Sequence, residues 1–167
     1  KARLEFENYD RNLGITQPII GIQNGGGIRQ PDDLFPPMDI TTGWVQNQLP
    51  FGNELGYIED LTVERLVDVL ENAVSAVEFV DGRFAQVSGF EFTYDLTESA
   101  GDRVVEIRLE DGTLIFDDAT NFLSTDTFTL GIFNFLATGG DDYPLTDQTF
   151  NDLGIGDLEM LKEYLTD

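Results

Sequence analysis

PIIGIQNGGGIRQ, residues 18–30, begins apolar and ends on glycine and charge. Pro18 to Ile22 has the pattern of a short buried strand, which Gln23, Asn24 and three consecutive glycines bring to a stop. A strand feeding a pliable loop lets backbone approach a ligand closely, because glycine has no Cβ and adopts φ > 0 freely. Arg29 follows at once, and it is the only basic residue between Arg11 and Arg65. The continuation, QPDDLFPPM (30–38), holds three prolines and cannot be regular.

Outward from this point, helical and strand patterns mix. KARLEFENYDRNL (1–13) reads as helix with Leu4 and Phe6 near one face. TTGWVQNQL (41–49) reads as a short helix capped by Thr41 or Thr42, and ELGYIEDL (54–61) as a strand. Thr62 then caps the clearest helix, with Val63, Leu66, Val67, Leu70 and Val74 on one stripe. RFAQVSGFEFTYDL (83–96) puts Phe90, Phe92 and Tyr94 on one side of a strand. RVVEIRLEDGTLIFD (103–117) is a hairpin signal turning at Asp111-Gly112. FTLGIFNFLA (128–137) reads as a strand running into a second glycine-rich loop, TGGDDYP (138–144), and DLEMLKEYL (157–165) as a closing helix. There is no regular βαβ alternation, so the predicted class is α+β. The two glycine-rich loops at strand ends are where chemistry is expected.

Composition narrows the function. A chain of 167 residues predicts one domain, 1–167, and 13 Phe with 41% hydrophobic residues set it apart from a disordered acidic tail. There are 32 acidic and 9 basic residues, a net charge of −23, which excludes nucleic acid as a partner and disfavours anionic membranes. No apolar run reaches membrane-spanning length, so no membrane insertion is expected. The absence of both Cys and His removes serine-triad, cysteine-protease and zinc-hydrolase chemistry. Carboxylate chemistry remains open. Because Lys1 opens inside a helical pattern, the chain reads as a piece of a longer one.

QNGGGIR (23–29), ITTGWVQNQLPFGN (40–53), GRFAQVSGFEFTYD (82–95) and NFLATGGDDY (134–143) together resemble, in order and spacing, the 5′-nucleotidase C-terminal domain. That family includes UDP-sugar hydrolases, ecto-5′-nucleotidases and 2′,3′-cyclic nucleotide phosphodiesterases. The resemblance runs from about Ile19 to Tyr143. It implies mixed β-sheets layered with helices in an α/β/β/α arrangement. It also implies an N-terminal metallophosphoesterase domain of the same chain, holding two divalent metal ions through His, Asp and Asn. The present residues would then bind the nucleoside part of a nucleotide. On that resemblance this chain binds no metal or cofactor itself and lacks hydrolase activity alone. Its parent is a phosphoester hydrolase located extracellularly, in the periplasm or at the cell surface.

The resemblance carries over to single residues. Phe51 and Phe135 match the two phenylalanines that sandwich the base; either could instead be core. Asp141 matches the carboxylate that accepts from the ribose hydroxyls, a role that suits its two oxygens. Its alternatives are a turn Asp satisfying local backbone, or part of a calcium turn in GGDDYPLTD (139–147). Arg29 matches an Arg facing the ribose and phosphate; its alternative is a salt bridge to Asp32 or Asp33. Asn24 and Asn53 match positions that contact base or ribose in some members, and could instead be turn residues in the left-handed region. Where the family usually has GGDG, this chain has Asp142. Two other functions compete: a non-catalytic nucleoside-binding module, and an acidic, calcium-dependent surface domain.

Overall fold

The computed structural model describes residues 1–29 and 39–166. Its first sheet has five strands in the order β3-β1-β8-β2-β9, formed by β1 (Ile19–Asn24), β2 (Glu54–Thr62), β3 (Ala85–Ser88), β8 (Thr127–Phe133) and β9 (Asn151–Gly156). β1 and β8 run parallel, with Ile19 opposite Thr129 and Gly21 opposite Gly131, and the other pairs are antiparallel. β1 and β8 are nearly continuous apolar runs because both faces are covered. Helix α1 (Ala2–Arg11) covers one face: a Cβ on Gly131 would lie 3.3 Å from Leu4. Only Leu4 of the predicted α1 stripe is buried. Phe6 is 55% exposed, and the next buried position is Glu7, held between Arg3 and Arg11.

The other face meets α3 (Val63–Val74) and the second sheet. Thr62 caps α3 by accepting from Arg65 N at 3.2 Å. The buried stripe is centred on Leu66, Val69, Leu70 and Ala73, so Val67 is only partly buried and Val69 lies fully inside. These side chains join Ile20, Ile58, Leu130 and Ile132 of the first sheet and Phe90, Ile107 and Ile115 of the second in one core. Each such aliphatic side chain contributes roughly 1.5–3 kcal/mol by leaving water. Arg103 ties the helix end to the second sheet, donating to Val74 O at 2.7 Å and pairing with Glu78.

The second sheet is antiparallel, with β4 (Phe90–Tyr94), β5 (Val104–Leu109), β6 (Leu114–Asp117) and β7 (Phe122–Leu123) in that order. The expected single strand over RFAQVSGFEFTYDL is therefore two strands in different sheets. Gly89, at φ +93, turns the chain between them, and a Cβ there would lie 3.0 Å from Ile19 O. The hairpin turns at Asp111-Gly112 as predicted, with Gly112 at φ +85 and Leu109 N donating to Thr113 O at 2.9 Å. FTLGIFNFLA is also divided: β8 stops at Phe133, and Asn134–Ala137 form a helical turn, α4. Asn134 Oδ1 accepts from Phe135 N at 2.9 Å and Glu54 N at 3.1 Å, which ends the ladder. Thr41 is the cap of α2 (Thr42–Gln48), accepting from Trp44 N at 3.1 Å. α5 (Asp157–Thr166) follows β9, an edge strand that was not predicted. The class is α+β, two sheets layered with helices. Among the described residues no helix is long and apolar enough to cross a membrane.

Candidate functional site

The topology brings four chain ends to one edge of the five-stranded sheet. β1 and β8 are parallel, so both finish there; β2 and β3 are antiparallel to them, so both start there, with Leu55 opposite Phe133 and Ala85 opposite Asn24. The loops at that edge enclose a cavity of about 430 Å³, lined by Asn24, Gly26, Gly27, Arg29, Phe51, Asn53, Gly82, Phe135 and Asp141. All six residues singled out from the sequence are in this wall. Gly82 was not anticipated; it lies in a quoted stretch but has no side chain to suggest a role.

The three glycines of NGGG are used differently from expectation. Gly25–Gly27 form a 3₁₀ turn, and none of them has positive φ. What they permit is close approach: Gly25 N donates to Phe84 O at 2.8 Å and Gly26 N to Gly82 O at 2.7 Å. A Cβ on Gly26 would lie 3.0 Å from Gly82 Cα, and one on Gly27 2.7 Å from Asn24 Oδ1. Asn24 itself is extended, at φ −75, and Asn53 is not in the left-handed region, so neither is the αL turn residue of the alternative reading.

Asn24 is buried, and its Nδ2 donates to Asp141 Oδ2 at 2.6 Å. Asp141 sits in the left-handed region at φ +51, and its carbonyl accepts from Asn72 Nδ2 at 3.0 Å. One carboxylate oxygen is thus held by an amide while the group as a whole faces the cavity. Asp142 is left-handed too, at φ +60, a region that glycine adopts without strain. Its side chain is 3.5 Å from the Arg83 guanidinium.

Phe51 and Phe135 are 55% and 42% exposed, which separates them from the core cluster. The backbone of Gly140 presses on Phe135, since a Cβ there would lie 2.5 Å from the ring. The Arg29 guanidinium carbon lies 5.3 Å from the Phe51 ring centroid, a cation–π arrangement, and Arg29 N donates to Gln48 O at 2.8 Å. Asp32 and Asp33, the alternative partners of Arg29, lie outside the described residues. Asn53 is anchored through its backbone to Asp157, its carbonyl accepting from Asp157 N at 2.9 Å and its N–H donating to Asp157 Oδ2 at 3.3 Å. Burial pushes the Asp157 carboxyl up, and the bonds from Leu158 and Asn53 only partly offset it.

The two metal ions implied by the resemblance do not fit this chain. It has no His, and among the described residues no three His, Cys, Asp or Glu are grouped to hold a metal ion. What the cavity offers is two exposed aromatic faces, amides, one carboxylate and one guanidinium, a set suited to a flat heterocycle bearing hydroxyls and negative charge.

The family model for "5′-nucleotidase, C-terminal domain" matches residues 8–148. The chain is 39% identical over 148 residues to the trifunctional nucleotide phosphoesterase protein YfkN of Bacillus subtilis, covering 87% of this chain and 10% of that protein. It is 29% identical over 147 residues to the 5′-nucleotidase of Homo sapiens, covering 87% of this chain and 25% of that one. Among solved structures, a 5′-nucleotidase precursor from Thermus thermophilus aligns with a TM-score of 0.74 at 36% identity, over 95% of this chain and 30% of that one. The chain therefore spans less than a third of the length of these relatives.

Proposed function

Since the chain belongs to the 5′-nucleotidase C-terminal domain family, we propose that it is the substrate-recognition domain, residues 1–167, of a nucleotide phosphoesterase. The reading rests on one observation: six residues from well-separated stretches wall a single cavity at one sheet edge. Phe51 and Phe135 stack on the base. Asp141, pre-oriented by Asn24, accepts from the ribose hydroxyls. Asn53 offers donor and acceptor to a base edge, and Arg29 faces the ribose and phosphate. At net −23 the surface repels a phosphate of about two charges, but screening limits that repulsion to about 8 Å, so one guanidinium in the wall decides the local field.

Phosphoester hydrolysis falls to a metallophosphoesterase domain outside these residues, where two divalent ions would supply the activated water. This chain contributes binding and orientation of the nucleoside, which is proximity rather than chemistry. By itself it releases no phosphate. The parent is placed outside the cell, in the periplasm or at the cell surface; a relative named as a snake venom 5′-nucleotidase, from Macrovipera lebetinus, supports the first of these.

Calorimetric titration with adenosine tests the proposal. Phe51→Ala and Phe135→Ala are each expected to weaken binding by ~1–3 kcal/mol, the worth of one stacked base. Thermal stability should change little, because both rings are about half solvated and lie outside the core cluster. A stability loss of ~3–5 kcal/mol would return that ring to the core, and a wild-type chain that binds no adenosine would sink the assignment.

A further inference from the structure

Residues 82–84 join the two glycine loops. The Gly82 and Phe84 carbonyls accept from Gly26 N and Gly25 N at 2.7 and 2.8 Å. The Arg83 carbonyl between them accepts from the buried Tyr143 hydroxyl at 2.8 Å. The Arg83 side chain makes a second set of ties. Its Nε donates to Asp81 Oδ1 at 3.0 Å, and its Nη1 to Asn72 Oδ1 at 3.4 Å and Ser75 Oγ at 3.3 Å. Its Nη2 lies 3.5 Å from the Asp142 carboxylate. With its oxygen turned to the cation, the Asn72 amide presents Nδ2 to the Asp141 carbonyl at 3.0 Å.

Asp141 and Asp142 are consecutive non-glycine residues with φ of +51 and +60. Aspartate tolerates that region better than most residues, but such backbone persists only where its surroundings over-determine it. Here the surroundings are Asn72 on the carbonyl, Asn24 on the carboxylate and Arg83 on the neighbouring side chain. A planar guanidinium holds five donors in a fixed fork and here reaches four partners, Asp81, Asn72, Ser75 and Asp142, where an ammonium has three donors at a single point.

We infer that Arg83 is a positioning residue of the cavity: through Asn72 and Asp142 it holds Asp141 in the left-handed conformation that delivers its carboxylate to Asn24 and the ligand. The inference rests on the reading of Asp141 as the ribose acceptor.

The experiment titrates adenosine and 2′,3′-dideoxyadenosine into the wild-type chain, Arg83→Gln, Asn72→Ala, Asp141→Asn and the Arg83→Gln/Asp141→Asn double variant. Arg83→Gln is expected to weaken adenosine about tenfold, near the worth of a hydrogen bond to a charged group, and dideoxyadenosine by less than about twofold. Asn72→Ala should repeat the sugar-selective loss with Arg83 intact, and it carries the test if Arg83→Gln does not fold. Asp141→Asn should abolish the sugar preference, after which adding Arg83→Gln should change the ratio of the two affinities no further. Equal losses for both ligands in Arg83→Gln and Asn72→Ala, or an additive double variant, would overturn the inference alone. A wild-type chain that does not distinguish the two nucleosides would overturn the ribose reading, and the inference with it.

Discussion

Arg29 shows how much one residue's surroundings decide. Its match to the family motif points toward a phosphate, while in the structure its guanidinium rests over Phe51. Such a contact is worth ~0.5–1 kcal/mol at an exposed site. Under the proposed function, a base stacked on Phe51 would compete with this contact, and the guanidinium released from it would turn toward negative charge. Arg29→Gln should therefore weaken AMP by up to about fivefold at low salt, as expected of an exposed ion pair, while leaving adenosine unchanged or slightly tighter. The AMP loss should shrink as salt rises. Titrations at two ionic strengths check this; equal, salt-insensitive losses for both ligands would place Arg29 in the loop's own structure. Residue identity was legible here from the motif, but the stacking partner was not, because Phe51 lies 22 positions away on a different loop.

At the scale of elements, caps, turns and stripes act locally, and they were readable. Thr62 caps α3, and Asp111-Gly112 turns the β5–β6 hairpin. Gly89 was not readable: Phe90, Phe92 and Tyr94 keep a strand period on one side of it, and what demands glycine is the positive φ of the turn and the nearness of Ile19. The same logic singles out the contact between the NGGG turn and Gly82. Gly26→Ala places a Cβ 3.0 Å from backbone that cannot swing away, so the two loops must part. We expect it to cost ~1–3 kcal/mol in stability, as overpacking does, and to weaken adenosine binding with it. Gly43→Ala is the control. Gly43 sits in α2 with nothing nearer than 3.9 Å to a new Cβ, and alanine there should add ~0.5–1 kcal/mol. Chemical denaturation of both variants decides it, and a neutral Gly26→Ala would show that the loops have slack.

For the whole molecule, pH sets two kinds of carboxylate against each other. Hydrogen bonds hold Glu78, Asp81, Asp95, Glu106, Glu110 and Asp111 below their ordinary values, each with burial as a lesser opposing effect. Their stabilisation is present at neutral pH and is lost as pH falls through their lowered values. Asp157 is the opposite case. Burial raises it, so folding favours the protonated form: its contribution is greatest below the ordinary value of 3.8 and declines as pH rises through the raised folded one. Asp157→Asn isolates this group, since the exchange of an oxygen for an amide is itself independent of pH. The stability of wild type relative to Asp157→Asn should rise as pH is lowered from 7 toward 4. Thermal melts across that range would sink the idea if the difference stayed constant or moved the other way.

Read alone, the sequence determined what depends on near neighbours: the α+β class, the Thr62 cap of α3 and the hairpin, while its motifs singled out Asn24, Arg29, Phe51, Asn53, Phe135 and Asp141, which line one cavity. These signals are written in spacings of two, three and four residues or in motifs of a few letters, so they survive without knowledge of the fold. Tertiary structure decided what depends on distant pairs. It set the parallel register of β1 and β8 that gathers the four loops at one edge, and the passage between sheets at Gly89. It also placed β9 at the edge of the first sheet, although NDLGIG (151–156) has too little apolar alternation to announce a strand. Arg83 is the plainest instance. Its guanidinium meets Asn72 of α3 and Asp142 of the second turn, and its carbonyl accepts from the hydroxyl of Tyr143, 60 residues away along the chain. A guanidinium's role is set by whichever acceptors the folded backbone brings within reach of its five donors, and no periodicity in the sequence encodes that distance.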